Sequence, residues 1–129
     1  MKYFFIAIFS SILLTACSEQ FKTLDTKAFN EIIVGRTDIK TAEDLIKMYY
    51  DYPAEEGQPH LNISTTILAD SIVEITLIHE GLEDDSQLGE KSVMQAKLIN
   101  QSWQVLSIKE NWRCRDGFGW SSWGTTPCN

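Results

Sequence analysis

The sequence predicts an α+β fold, an N-terminal amphipathic helix packed on a four-stranded antiparallel meander, followed by a disulfide-closed C-terminal tail. Three observations predict it. A capped stretch of helical period covers residues 41–51. Segments of alternating apolar and polar residues then run from Leu61 to Lys109. Short polar turn sequences separate them. A helix first and strands afterwards is the order expected when a helix covers one face of an antiparallel sheet.

The helix begins at Thr41-Ala42-Glu43-Asp44, where an acid three residues after a threonine gives a weak capping box. Ala42, Leu45, Ile46 and Tyr49 fall on one face, and Glu43 with Lys47 forms an i,i+4 pair in the favourable order. Pro53 and Gly57 lie beyond its end. Upstream, Ala28, Phe29, Ile32 and Ile33 fit a short helix ended by Gly35, but Glu31 to Val34 equally fits an extended arm. Leu61, Ile63, Thr65 and Ile67, then Val73, Ile75 and Leu77, make a hairpin about the turn Ala69-Asp70-Ser71. Ile72 and Ile78 add apolar weight to its second face and predict cover there. A third strand spans 91–99, Asn100-Gln101 turns the chain, and Trp103 to Lys109 forms the fourth. This order of elements resembles small cystatin-like or NTF2-like envelope domains.

A chain of 129 residues is long enough for one domain and a targeting segment. Its net charge of −7 argues against nucleic-acid binding, which draws on Lys and Arg at phosphates. The same balance excludes a polybasic grip on anionic lipid.

The first twenty residues address the compartment. Met1-Lys2 precede an apolar run from Tyr3 to Leu14, broken only by Ser10 and Ser11. One positive charge, a short apolar run and small residues after it are the parts of a secretory signal peptide. The run is shorter than the roughly 20 residues a membrane span needs. Leu14-Thr15-Ala16-Cys17 resembles the lipobox of bacterial lipoproteins. That resemblance implies diacylglyceryl transfer to the Cys17 thiol, cleavage after Ala16 and acylation of the new amine. Several acyl chains hold a protein firmly where one holds it marginally. Ser18 stands where an aspartate would favour inner-membrane retention in enterobacteria, so the resemblance extends to outer-membrane lipoproteins. The expected division is signal peptide 1–16, lipidated tether 17–25 and a single domain 26–129. Removing residues 1–16 takes Lys2 and no acid, so the charge becomes −8.

With Cys17 lipidated, Cys114 and Cys128 remain, an even pair in an oxidising compartment with 13 residues between them. A disulfide is the expected outcome. Closing a loop of about 15 residues stabilises by roughly 3 kcal/mol in the chain-entropy model. His60 and His79 are isolated and the cysteines lack CxxC spacing, so no metal site is expected.

The tail 111–129 concentrates Trp112, Phe118, Trp120 and Trp123 beside Arg113 and Arg115. Its pattern W-x-C-x-x-G-x-G-x-x-x-W-x-x-x-x-C resembles the C-terminal motif of small bacterial envelope lipoproteins, a resemblance that brings no activity with it. Two readings stand side by side. One is a stapled flap packed on the domain. The other is an aromatic platform with two arginines for a sugar or peptide, since tryptophans stack on sugar faces and Arg grips carboxylates bidentately.

The segment 80–90 carries five acids, Glu80, Glu83, Asp84, Asp85 and Glu90, and no base. It lacks EF-hand spacing, and reads as a solvated hairpin loop, a cation site or a surface for a basic partner. No nucleophile elbow, metalloprotease helix motif or phosphate-binding loop is present. His79 beside Glu80 is the one acid–base candidate. The sequence therefore predicts a non-catalytic binding or interaction module, without cofactor, lipid-anchored in the bacterial envelope and facing the periplasm. Its expected partner is an envelope protein or cell-wall fragment, and not nucleic acid. The alternatives are a structural or protective envelope protein and a wall-acting enzyme.

Overall fold

A computed structural model describes residues 18–51 and 60–129. The expected signal peptide, Cys17 and the expected helix stops Pro53 and Gly57 lie outside them. The fold is α+β, with two helices on one face of a five-stranded antiparallel sheet of order β1-β5-β4-β3-β2. The strands are β1 Lys22–Leu24, β2 Leu61–Ile67, β3 Val73–Glu80, β4 Gln87–Ile99 and β5 Ser102–Cys114. The helices are α1 Lys27–Ile33 and α2 Ala42–Tyr49.

Between α1 and the extended arm, the structure selects the helix. Phe29 and Ile33, one turn apart, are both buried. The Asn30 side chain reaches β5, accepting from Val105 N at 2.8 Å and donating to Val105 O at 2.9 Å. Gly35 then takes φ +73, a left-handed conformation that suits glycine at a helix end. α2 forms where expected, and its weak box is complete. Thr41 Oγ1 accepts from Asp44 N at 3.0 Å, and the Asp44 carboxylate accepts from Thr41 N at 3.2 Å. Lys47 meets Glu43 at 2.6 Å.

Both helices cover the same sheet face. Phe29, Ile33, Ile39, Leu45 and Ile46 meet Ile75 and Leu77 of β3, Met94 and Ala96 of β4, and Trp103, Val105 and Ile108 of β5. The register Ile75↔Met94↔Ile108 lines these side chains across the central strands. Trp103 donates its indole N–H to Ile39 O at 3.1 Å, satisfying the one polar atom of the largest core side chain.

The expected four strands are five. Residues 22–24, taken as tether, form an edge strand on β5 with Lys22↔Glu110 and Leu24↔Ile108. Three residues with a mostly exposed side-chain pattern offer no periodic signal, so pairing with an edge determines the strand and not its own composition. The two long strands also exceed their expected limits. β4 starts at Gln87 and β5 runs to Cys114, so Glu90 and residues 111–114 of the tail belong to the sheet. The 80–90 loop shortens to 81–86, because Glu80 pairs with Gly89. The tight turn at Asn100-Gln101 uses positive φ at both residues, +49 and +66, which matches the twist of the flanking strands.

One end of the sheet gathers the end of β3, the start of β4, the end of β5 and the N-terminal end of β1. The opposite end carries the β2–β3 and β4–β5 turns.

Candidate functional site

The features singled out from sequence converge on the first of these ends, on the two faces of the sheet. The tail runs along the β5 edge beyond β1, and its Trp123 ring lies on the face away from the helices. Cys114 and Cys128 are joined, with Cα atoms 5.5 Å apart. Trp112 and Gly124 exchange two backbone hydrogen bonds at 2.9 Å, extending the sheet edge beyond β1. The Trp112 indole N–H donates to Thr126 O at 2.9 Å. Cys114 N donates to Trp120 O at 2.9 Å, and Asn129 N to Phe118 O at 2.7 Å. The tail thus has its own backbone bonding despite lacking a helix or long strand.

Trp123 seats this flap on the sheet. Its ring stacks against the ammonium of Lys91 at 4.5 Å and the guanidinium of Arg113 at 5.4 Å. Gly89 makes room for it. A Cβ there would meet the Trp123 ring at 3.1 Å and His79 O at 3.3 Å. Gly119, at φ +145, does the same for the disulfide, since a Cβ would meet Cys114 Sγ at 2.9 Å. Phe21 and Trp123 flank Lys91 on this face, while Ile72 and Ile78, from which the sequence predicts cover, are half-buried.

The platform reading divides. The arginines are engaged within the fold. Arg113 forms an ion pair with Glu80, and Arg115 donates to the carbonyls of Asp84, at 2.8 Å, and Leu82. Arg115 thereby holds the 81–86 loop against the tail. Neither guanidinium is presented to a ligand with its fork open. The aromatics are different. Trp112, Trp120 and Trp123 line a cleft of about 570 Å³ with Ser18, Glu19 and Gln20 on its other side. Trp120 is 68% exposed and Phe118 40%.

The N-terminal wall of that cleft is fixed. Glu19 pairs with Lys91 at 2.7 Å and accepts from Asn111 Nδ2 at 3.2 Å, and Asn111 also donates to Gln20 O at 3.1 Å. Lys91 and Asn111 are buried. The hydrogen bond from Lys91 outweighs partial burial and holds the Glu19 carboxyl below its ordinary range.

On the helix face of the same sheet end, α2 brings Tyr49 and Tyr50 over the strand ends. Tyr50 Oη donates to Glu90 Oε2 at 2.8 Å and lies 2.8 Å from His79 Nδ1. The Tyr50 hydroxyl thus bridges the Glu90 carboxylate and the His79 ring. Gln87 Nε2 donates to the other Glu90 oxygen at 3.1 Å. Tyr49 donates to Glu110 at 2.9 Å, and burial followed by this contact pushes its phenol far above the ordinary range. An open cleft of about 600 Å³ lies beside them, with Asp51, Glu83 and Asp84 on its rim.

Glu80 therefore is not the partner of His79, because adjacent strand residues point to opposite faces. Its partner across the sheet is Glu90, in register with it on β4. The acidic segment is dispersed in the same way. Asp84 accepts from Ser86 N, Ser86 Oγ and Gln87 N at 2.7–3.0 Å, and the backbone donors hold its carboxyl below the usual range. Glu80 and Glu90 face opposite sides of the sheet, leaving Glu83 and Asp85 as exposed acids of the loop. Among the described residues no three His, Cys, Asp or Glu side chains are grouped to hold a metal ion. His60, at the start of β2, is exposed.

Sequence reading did not find Tyr50, Gly89, Lys91 or Glu19. The last three carried no motif, and their partners are far away in the chain. No family model, curated protein or solved structure matches this chain.

Proposed function

We propose that the protein is a lipid-anchored lipoprotein of the bacterial envelope, held at the outer membrane on its periplasmic side, and that it works as a non-catalytic binding module. The observation that carries this reading is the division of its cysteines. The chain has three, and Cys114 and Cys128 are bonded to each other. The one left over is Cys17, which ends the lipobox-like Leu14-Thr15-Ala16-Cys17 directly after the apolar run. A disulfide belongs to an oxidising compartment, and a lipobox to export into one.

The binding role is supported by the sheet end opposite the tail. Ile67, Leu68, Leu98, Ile99 and Leu106 are 36–79% exposed there, around the β2–β3 and β4–β5 turns. Apolar side chains gathered at one place mark contact surfaces more often than the same number scattered. A partner protein of the envelope fits an aliphatic surface of this kind better than a glycan fragment does. His79, the side chain an acid–base role would need, is 3% exposed and bonded to Tyr50, which favours binding over catalysis. The element order resembles that of cystatin-like or NTF2-like folds, a resemblance that assigns no function.

Metabolic labelling with an alkyne fatty acid tests the anchor. The wild-type chain takes up label in the membrane fraction and Cys17→Ser does not. Equal labelling of both, or none of either, contradicts the proposal.

A further inference from the structure

We infer that the disulfide-closed flap is a membrane-seating face, with Trp120 and Phe118 resting in the interfacial layer of the bilayer that holds the Cys17 acyl chains. The inference rests on the anchor reading and goes beyond it by fixing how the domain stands on the membrane.

The argument begins with reach. Glu19 is locked to Lys91 and Asn111. Two virtual bonds separate its Cα from that of Cys17, a span of at most about 7.6 Å. Each interfacial layer of a bilayer is about 5–8 Å thick. A lipidated Cys17 thus leaves no slack for a tether, and the sheet end around Glu19 is drawn down to the headgroups. Ser18, the next residue along, already lines the tryptophan cleft.

The side chains at that end suit the location. Trp120 and Phe118 are the most exposed aromatics of the flap. An indole has an apolar body and one N–H, and it gathers at the membrane–water boundary for that reason. Trp112 and Trp123 back the cleft, and the disulfide limits how far the flap can swing. The charges decide what kind of contact this is. Lys91 and Arg113 are paired with Glu19 and Glu80, while Glu83, Asp85 and Asp116 are exposed nearby. The surface has no surplus of cations for anionic lipid, so the contact is aromatic and not electrostatic.

The test uses protein extracted from membranes after expression of the full chain. It is reconstituted in phosphatidylethanolamine vesicles whose acyl chains carry bromine near the headgroup. Intact mass is taken from the same sample. The expected result is a lipidated chain whose tryptophan emission is quenched by bromine, with most of that quenching lost in Trp120→Ala. Near-UV dichroism and an intact disulfide show that the variant is folded. A lipidated chain with unquenched tryptophans overturns the seating and leaves the anchor standing, as does quenching that survives Trp120→Ala. A chain without lipid overturns the anchor reading and the seating with it.

Discussion

Two glycines carry more of the flap than their size implies. Gly119 lies at φ +145 with Cys114 Sγ where a Cβ would stand. Gly119→Ala therefore adds backbone strain to a clash, and a loss of about 1–3 kcal/mol is expected in denaturant melts. A variant as stable as wild type would show that the disulfide loop can repack around a methyl group. Gly89→Val is expected to lift Trp123 from Lys91 and Arg113, with a red shift of tryptophan emission, while the helix-face core keeps its far-UV signal. Glu19 sets the acid response at this scale. Its carboxyl is held below its ordinary range in the folded chain. The Lys91 contact therefore contributes stability above the ordinary carboxylate range and loses it as pH falls through the lowered value. Stability measured from neutral to acidic pH should fall more steeply for wild type than for Glu19→Gln. Parallel profiles would contradict the lock. Residues of this kind were hidden in the sequence because Gly89 and Trp123, or Glu19 and Lys91, meet only through the sheet. The cysteine pair was legible because the expected lipidation of Cys17 set one of three sulfurs aside.

Secondary elements were legible in proportion to their own periodicity. Thr41 and Asp44 announced α2 through the capping box, and the 69–71 and 100–101 turns announced two hairpins. The edge strand β1 gave no such signal, since Lys22 and Thr23 are exposed and β5 supplies the pairing. The strand ends at Gln87 and Cys114 were missed for a related reason. Gly89 and Glu90 read as loop, yet their pairing with β5 and the Trp123 ring seated over Gly89 make them part of a strand. The tail depends on its staple at this scale. Cys128→Ser is expected to lower stability by roughly 2–5 kcal/mol, read by thermal melts of oxidised wild type against the variant. Coincident melts would mean that the Trp112–Gly124 pairing and the Trp123 seat hold the tail unaided.

For the whole molecule, the two ends of the sheet have separate characters. One carries the tail, the Glu19 lock and the acids, and the other the exposed aliphatic side chains. Under the proposed anchoring through Cys17, the domain would direct its aliphatic end away from the membrane. A photo-crosslinker placed at Leu98 is expected to capture an envelope protein in living cells, whereas the same probe at Asp116 should label lipid. Capture of the same protein from both positions would contradict this polarity. The central claim, that the thiol nearest the amino terminus bears the lipid, is tested most directly by intact-mass measurement on protein extracted from membranes. The account predicts a chain beginning at Cys17, heavier by its fatty groups, with one disulfide. A chain that still begins at Met1 and carries no fatty group would contradict it.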